Sequence, residues 1–139
     1  MTVHDCSSPR DLVGTWRLAR RVHDRRLAAF GTMTGTLVLE PAGDGLCWSE
    51  QGRFVFGGHE YDSTRQLLLS PDADGWSMRF ADGRAFHPWR PGELVTHPCR
   101  ADTYRGVVDV DPTGTRLRTL WDVTGPAKDQ RLITRCTRT

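Results

Sequence analysis

The chain has 139 residues, of which 37% are hydrophobic and 26% charged, and its 19 basic side chains are nearly balanced by 17 acidic ones for a formal net charge of +2. That length predicts one domain, residues 1–139, with a core of its own. The scattered basic residues, even in "RLARRVHDRR" (17–26), come without an aromatic ladder or a helix-turn-helix pattern, so no nucleic-acid partner is expected.

Residues 1–10 read as a loose N-terminal segment without the apolar centre of a secretory signal, and no later run approaches the roughly 20 apolar residues of a membrane span. A cytoplasmic protein with no membrane partner is expected. Period-2 alternation then predicts strands over 12–23, 32–40, 46–52, 54–62, 66–70, 75–80, 84–89, 94–99, 103–110, 116–124 and 128–137. "PAGDG", "SPDADG", "RPGE", "DPTG" and "TGPA" supply turns between them. Short antiparallel strands at regular spacing make a meander, and closure into a barrel removes exposed edges. The predicted fold is an all-β, up-and-down antiparallel barrel of nine to ten strands, with room inside for side chains or one small ligand.

The alternation places Trp16, Leu18, Arg20 and Val22 on one face of the first strand, where Arg20 is out of character and either snorkels at a barrel end or reaches into the lumen as a charge partner, and Leu117, Thr119, Trp121 and Val123 on one face of a late strand. Glu50 points inward with Leu46 and Trp48, and such a carboxylate needs a partner, for which Arg20 and Arg84 are the candidates. Asp82-Gly83 predicts a two-residue type I′ turn. That turn sets Met78 opposite His87 and Trp76 opposite Trp89, with Phe80 and Ala85 on the same apolar face and Phe86 on the other.

His97 and Cys99 alternate on a strand and so share a face within about 7 Å. Asp102 and Tyr104 do the same. With His87 they make a candidate cluster, joined from the far side by Lys128. Three readings stand: a hydrogen-bonded structural network, an acid–base site in an apolar pocket, or a metal site of His87, His97 and Cys99 completed by Asp102 or water. In the acid–base reading His87 or His97 moves the proton, Asp102 orients the imidazole, and Tyr104 with Lys128 steadies an oxyanion. Trp48, Glu50, Trp76, Met78, Arg84, Trp89, Cys99 and Trp121 are the candidate binding residues. Trp16 reads as an end plug. His4, His23 and His59 read as exposed. The four cysteines, Cys6, Cys47, Cys99 and Cys136, lack any CxxC pair and predict no disulfide framework.

Two resemblances attach to these segments. "DLVGTWRLAR" (11–20) resembles the opening of lipocalin-type (calycin) barrels, in which Gly-x-Trp meets a basic residue of the last strand; the resemblance assigns Gly14, Trp16 and either Arg135 or Arg138. "DGRAFH" (82–87), "HPCRADTY" (97–104) and "WDVTGPAKD" (121–129) resemble a family of small uncharacterised bacterial barrel proteins, a domain of unknown function related in shape to calycins. That resemblance implies the fold and names no reaction. The combined expectation is a barrel that handles a small apolar metabolite without a cofactor, as a monomer or homodimer. Its sharper form is an acid–base enzyme of the cyclase, isomerase or dehydratase type, and the alternatives are a non-catalytic carrier and a metal-binding barrel.

Overall fold

The computed structural model describes residues 8–139, so His4 and Cys6 lie outside it. A 3-10 turn (Pro9–Leu12) precedes β1 (Gly14–Asp24), β2 (Ala29–Ala42), β3 (Gly45–Phe56), β4 (His59–Asp72), β5 (Gly75–Phe80), β6 (Ala85–Pro88), β7 (Val95–Cys99), β8 (Asp102–Val110), β9 (Arg116–Gly125) and β10 (Lys128–Arg138). All pair antiparallel in one sheet of order β6-β5-β4-β3-β2-β1-β10-β9-β8-β7. The fold is the lipocalin-like up-and-down barrel expected from the alternation. Among the described residues no helix is long and apolar enough to cross a membrane.

Three strands expected over 46–52, 54–62 and 66–70 are in fact the two long strands β3 and β4. The turn is at Gly57-Gly58, whose φ values of 60° and 79° suit a two-residue hairpin loop. Gly52 is no breaker. It faces Gly35 across the β2–β3 ladder, and a Cβ on Gly35 would lie 2.0 Å from the Gln51 carbonyl oxygen. Two backbones pressed this closely let the sheet coil without a break.

One end of the barrel, the base, is packed solid. Leu12, Trp16, Leu37 and Leu69 are fully buried, with Leu18, Leu39 and Leu46 hardly less so. Ser8 caps the 3-10 turn by accepting from the Arg10 amide. Trp16 donates its indole N–H to the Leu12 carbonyl at 3.0 Å. Arg138, rather than Arg135, is the basic residue of the last strand that lies over the Trp16 ring, at 4.4 Å, and it donates to the carbonyls of Asp11, Val13 and Gly114. Gly14 leaves room for this guanidinium, since a Cβ there would sit 2.8 Å from Arg138 Nη1.

The ring of strands has one seam. β6 and β7 touch but share no ladder, so they are the two sheet edges. Both are short, and Pro88 and Pro98 remove donors from them, which blunts the edges against pairing with other chains.

The hairpin beside the seam differs from expectation. Gly83, at φ 91°, is the one residue of its loop with positive φ, and Phe80 N donates to Arg84 O while Gly83 N donates to Phe80 O. The loop is therefore the three-residue type I plus G1 form, Ala81 to Gly83, not a two-residue type I′ turn. A bulge at Phe86 then restores the pairing, so Arg79 faces Ala85 but Met78 still faces His87. Two adjacent residues, Phe86 and His87, are consequently both buried, and Ala85 is exposed. The expected sides of Phe86 and Ala85 are thus exchanged.

Candidate functional site

Above the base lies a charged layer. The Glu50 carboxylate, 3% exposed, receives Arg20 Nη2 on both oxygens at 3.0 Å, Arg65 Nη2 at 2.9 Å and the Trp48 indole N–H at 3.0 Å. Arg20 also donates to Thr134 Oγ1 at 2.7 Å. Burial pushes the Glu50 carboxyl up, but the guanidiniums of Arg65 and Arg20 outweigh it and hold the group below the usual carboxylate range. Burial also lowers Arg20, and burial together with the Glu50 charge pushes the Cys136 thiol up to about 12. Cys136 is therefore an inert core thiol. Glu50 is inward, as its alternation demands, but its partners are Arg20 and Arg65 and not Arg84, which is exposed and bound to Asp82 at 2.7 Å.

Phe86 sits at the centre of the next layer. Its ring lies 5.1 Å from Trp121, 5.5 Å from His97, 5.7 Å from Tyr104 and 4.7 Å from both Phe80 and His87. The bulge that turns Phe86 inward thus brings the two histidine-bearing sheet edges together across the seam. Between this cluster and the charged layer, Arg20, Arg65, Phe86, Tyr104, Trp121 and Thr134 help enclose a throat of about 20 Å³. That space has room for one water. A larger molecule has to sit above it and can reach Arg65 only where that side chain is open to solvent.

The upper half of the barrel is open because β5 pairs only with Leu67–Asp72, leaving the first half of β4 without a neighbour on that side. The ladder registers set Phe54, Tyr61, Tyr104, Val123 and Leu132 on the inner face here. Phe54, Tyr104 and Leu132 are half-buried and Tyr61 is exposed, in contrast to the filled base.

His97 and Tyr104 are direct partners in the β7–β8 ladder, and Cys99 and Asp102 are the next pair on that same face. This much of the candidate cluster is assembled by register alone. Asp102, however, pairs with Lys128 Nζ at 3.5 Å on the upper rim, and no hydrogen bond joins it to either imidazole among the described residues. It bridges the β7–β8 and β9–β10 turns. Gly125 leaves room for its carboxylate, which a Cβ would approach to 2.1 Å.

His87 is deeper, 5% exposed, with Nδ1 held at 2.8 Å from the Pro88 carbonyl oxygen, which fixes the proton on that nitrogen. Burial lowers the proton affinity of both imidazoles; nearby His97 and Arg65 add to the effect at His87, and Arg84 adds to it at His97. Both are held neutral at pH 7. Among the described residues, His87 Nε2, both nitrogens of His97 and the Tyr104 hydroxyl meet no protein hydrogen-bond partner.

No group of three or more His, Cys, Asp or Glu side chains among the described residues comes together to hold an ion. His87 is buried beside Phe86, while Cys99 lies at the rim opposite Asp102. The described cysteines Cys47, Cys99 and Cys136 are free.

The remaining candidates divide by height. Trp121 is in the aromatic layer. Met78, Trp48 and Trp89 belong to the core, with Trp48 and Trp89 edge-on at 6.4 Å. The buried Trp89 indole N–H has no partner among the described residues. Trp76 lies at the base under Arg10, 4.9 Å away. Of the outlying histidines, His59 is exposed, while His23 is half-buried and stacks on Phe30 at 4.3 Å. The sequence reading missed Arg65 and Phe86. Arg65 had a signal, since it falls on the inward row of β4 opposite Glu50 once the Gly57-Gly58 turn is recognised. Phe86 had none short of the bulge.

Similar folds exist among solved structures. The S-type phycobiliprotein lyase CPES from Guillardia theta superimposes with a TM-score of 0.64 at 11% identity, covering 100% of this chain and 93% of that one. At that identity the likeness is one of fold. No curated protein matches the sequence. The family evidence spans the whole barrel, from the end of the 3-10 turn to the arginine that clamps Trp16, and the chain belongs to the family of unknown function DUF6314, whose model matches residues 12–138.

Proposed function

We propose that this protein binds a small, largely apolar metabolite in the open upper half of the barrel and acts on it by acid–base chemistry without a cofactor. One observation carries the reading: His97 and Tyr104 stand side by side on the inner face, half-buried among aromatic rings, with their polar atoms free of protein partners among the described residues. These atoms face solvent rather than the packed core and so are available to a ligand, whereas the Glu50 oxygens are already taken by protein donors. Neutral His97 is in the state needed to accept a proton, and the Tyr104 hydroxyl can donate to the oxygen on which charge then develops. Isomerisation, cyclisation and dehydration are the reaction classes that need no more than this. That a lyase uses a barrel of the same shape supports a ligand-handling interior.

The second reading is a carrier without chemistry. It is favoured by Asp102, which is bound to Lys128 and so leaves His97 without a carboxylate to raise its basicity. His97→Gln separates the two. Incubated with a cell extract and followed by mass spectrometry, the wild-type protein is expected to convert a metabolite and the variant to retain it unchanged. Binding without conversion by both proteins leaves the carrier.

A further inference from the structure

The charged layer beneath the proposed pocket does not balance. It contains two guanidiniums, Arg20 and Arg65, and one carboxylate, Glu50. Among the described residues no acidic side chain lines the throat above it. The rim carboxylates Asp102 and Asp24 are committed elsewhere, Asp102 to Lys128 and Asp24 to the Leu27 amide and Gln130.

The two arginines are not equivalent. Arg20 is 11% exposed and its donors are used, by Thr134, by both Glu50 oxygens and by the Met33 sulfur at 3.7 Å. Arg65 is 42% exposed and spends one nitrogen, Nη2, on Glu50. Its Nε and Nη1 have no protein partner among the described residues, and the side chain helps line the throat with Phe86, Tyr104 and Trp121. A guanidinium anchored on one side, with donors free on the other, is preorganised for a planar carboxylate.

We propose that the ligand of this pocket is an amphipathic monocarboxylate, whose acid group docks on the exposed side of Arg65 and whose flat apolar body lies against Tyr104, above the buried Phe86 and Trp121. This rests on the pocket proposed above and adds the chemical class of its occupant. One negative charge from the ligand brings the layer to neutrality.

The test uses a neutral fluorescent reporter, N-phenyl-1-naphthylamine, displaced by 2-naphthoate, by 2-naphthylmethanol or by 2-naphthyl phosphate. With the wild-type protein, naphthoate is expected to displace the reporter at about one-tenth the concentration of the alcohol. Arg65→Gln is expected to abolish that preference while still binding reporter and alcohol, and Arg65→Lys to keep part of it. Glu50 retains Arg20 and Trp48 in both variants, and an unchanged near-ultraviolet dichroism spectrum verifies their fold. Equal displacement by acid and alcohol overturns the anionic head group and leaves the pocket standing. Tighter binding of the phosphate than of naphthoate overturns the carboxylate. Absence of reporter binding overturns the pocket and this proposal with it.

Discussion

Met78 and His87 face each other across the β5–β6 ladder even though the loop joining their strands is one residue longer than a two-residue hairpin. The longer loop and the bulge at Phe86 cancel in register below the bulge, but not above it. His87 keeps its expected place, and Phe86 moves from the solvent side to the centre of the aromatic layer.

This makes Phe86 and Ala85 trade roles, and the exchange is measurable by urea denaturation. Phe86→Ala is expected to cost about 3 kcal/mol, the usual loss for emptying a buried phenylalanine site. Ala85→Ser is expected to change stability by no more than about 0.5 kcal/mol, as surface substitutions do. A simple two-residue turn would give the reverse order.

Glu50 is the acceptor for two guanidiniums and an indole. Glu50→Gln leaves the buried Arg20 charge uncompensated and is expected to destabilise the fold by about 3 kcal/mol. Replacing the pair together, Arg20→Met with Glu50→Leu, is expected to recover most of that loss. Chemical denaturation of the three proteins checks both statements.

Burial of His87 makes stability pH-dependent. Its folded pKa lies below the ordinary value of 6.5, so the unfolded chain takes up a proton first as pH falls. Stability is therefore complete above 6.5 and declines as the pH drops below it towards the folded pKa. His97 contributes in the same direction. Thermal melts of wild type and His87→Gln across this range are expected to show a smaller acid-side decline in the variant.

Arg138 holds three backbone carbonyls and covers Trp16. Lysine cannot reproduce that fork, and Arg138→Lys is expected to lower stability by about 1–2 kcal/mol without altering reporter binding at the opposite end. Melting and reporter titration together check it.

Much of this was legible in the sequence, for a physical reason that differs by element. Alternation fixes which face of a strand is buried, so β1, β9 and the pairing of His97 with Cys99 on one face follow from it. Arg20, a charge on an apolar row, correctly marked the inner ionic layer. Asp102 was harder to read, because its partner Lys128 comes from another turn and alternation says nothing about which neighbour a rim carboxylate selects. The β3–β4 hairpin was misread where Gly52 imitated a breaker, although it marks a close approach of two backbones. Phe86 stayed hidden because a bulge reverses the alternation from which burial is inferred.

The central claim is that ligand enters the open half above the Arg20–Glu50–Arg65 layer. Indole N–H resonances of the tryptophans, followed by ¹H–¹⁵N correlation spectra during titration with N-phenyl-1-naphthylamine, test it directly. Trp121 is predicted to shift while Trp16, sealed in the base, stays fixed. Movement of Trp16 with Trp121 unchanged would contradict the account.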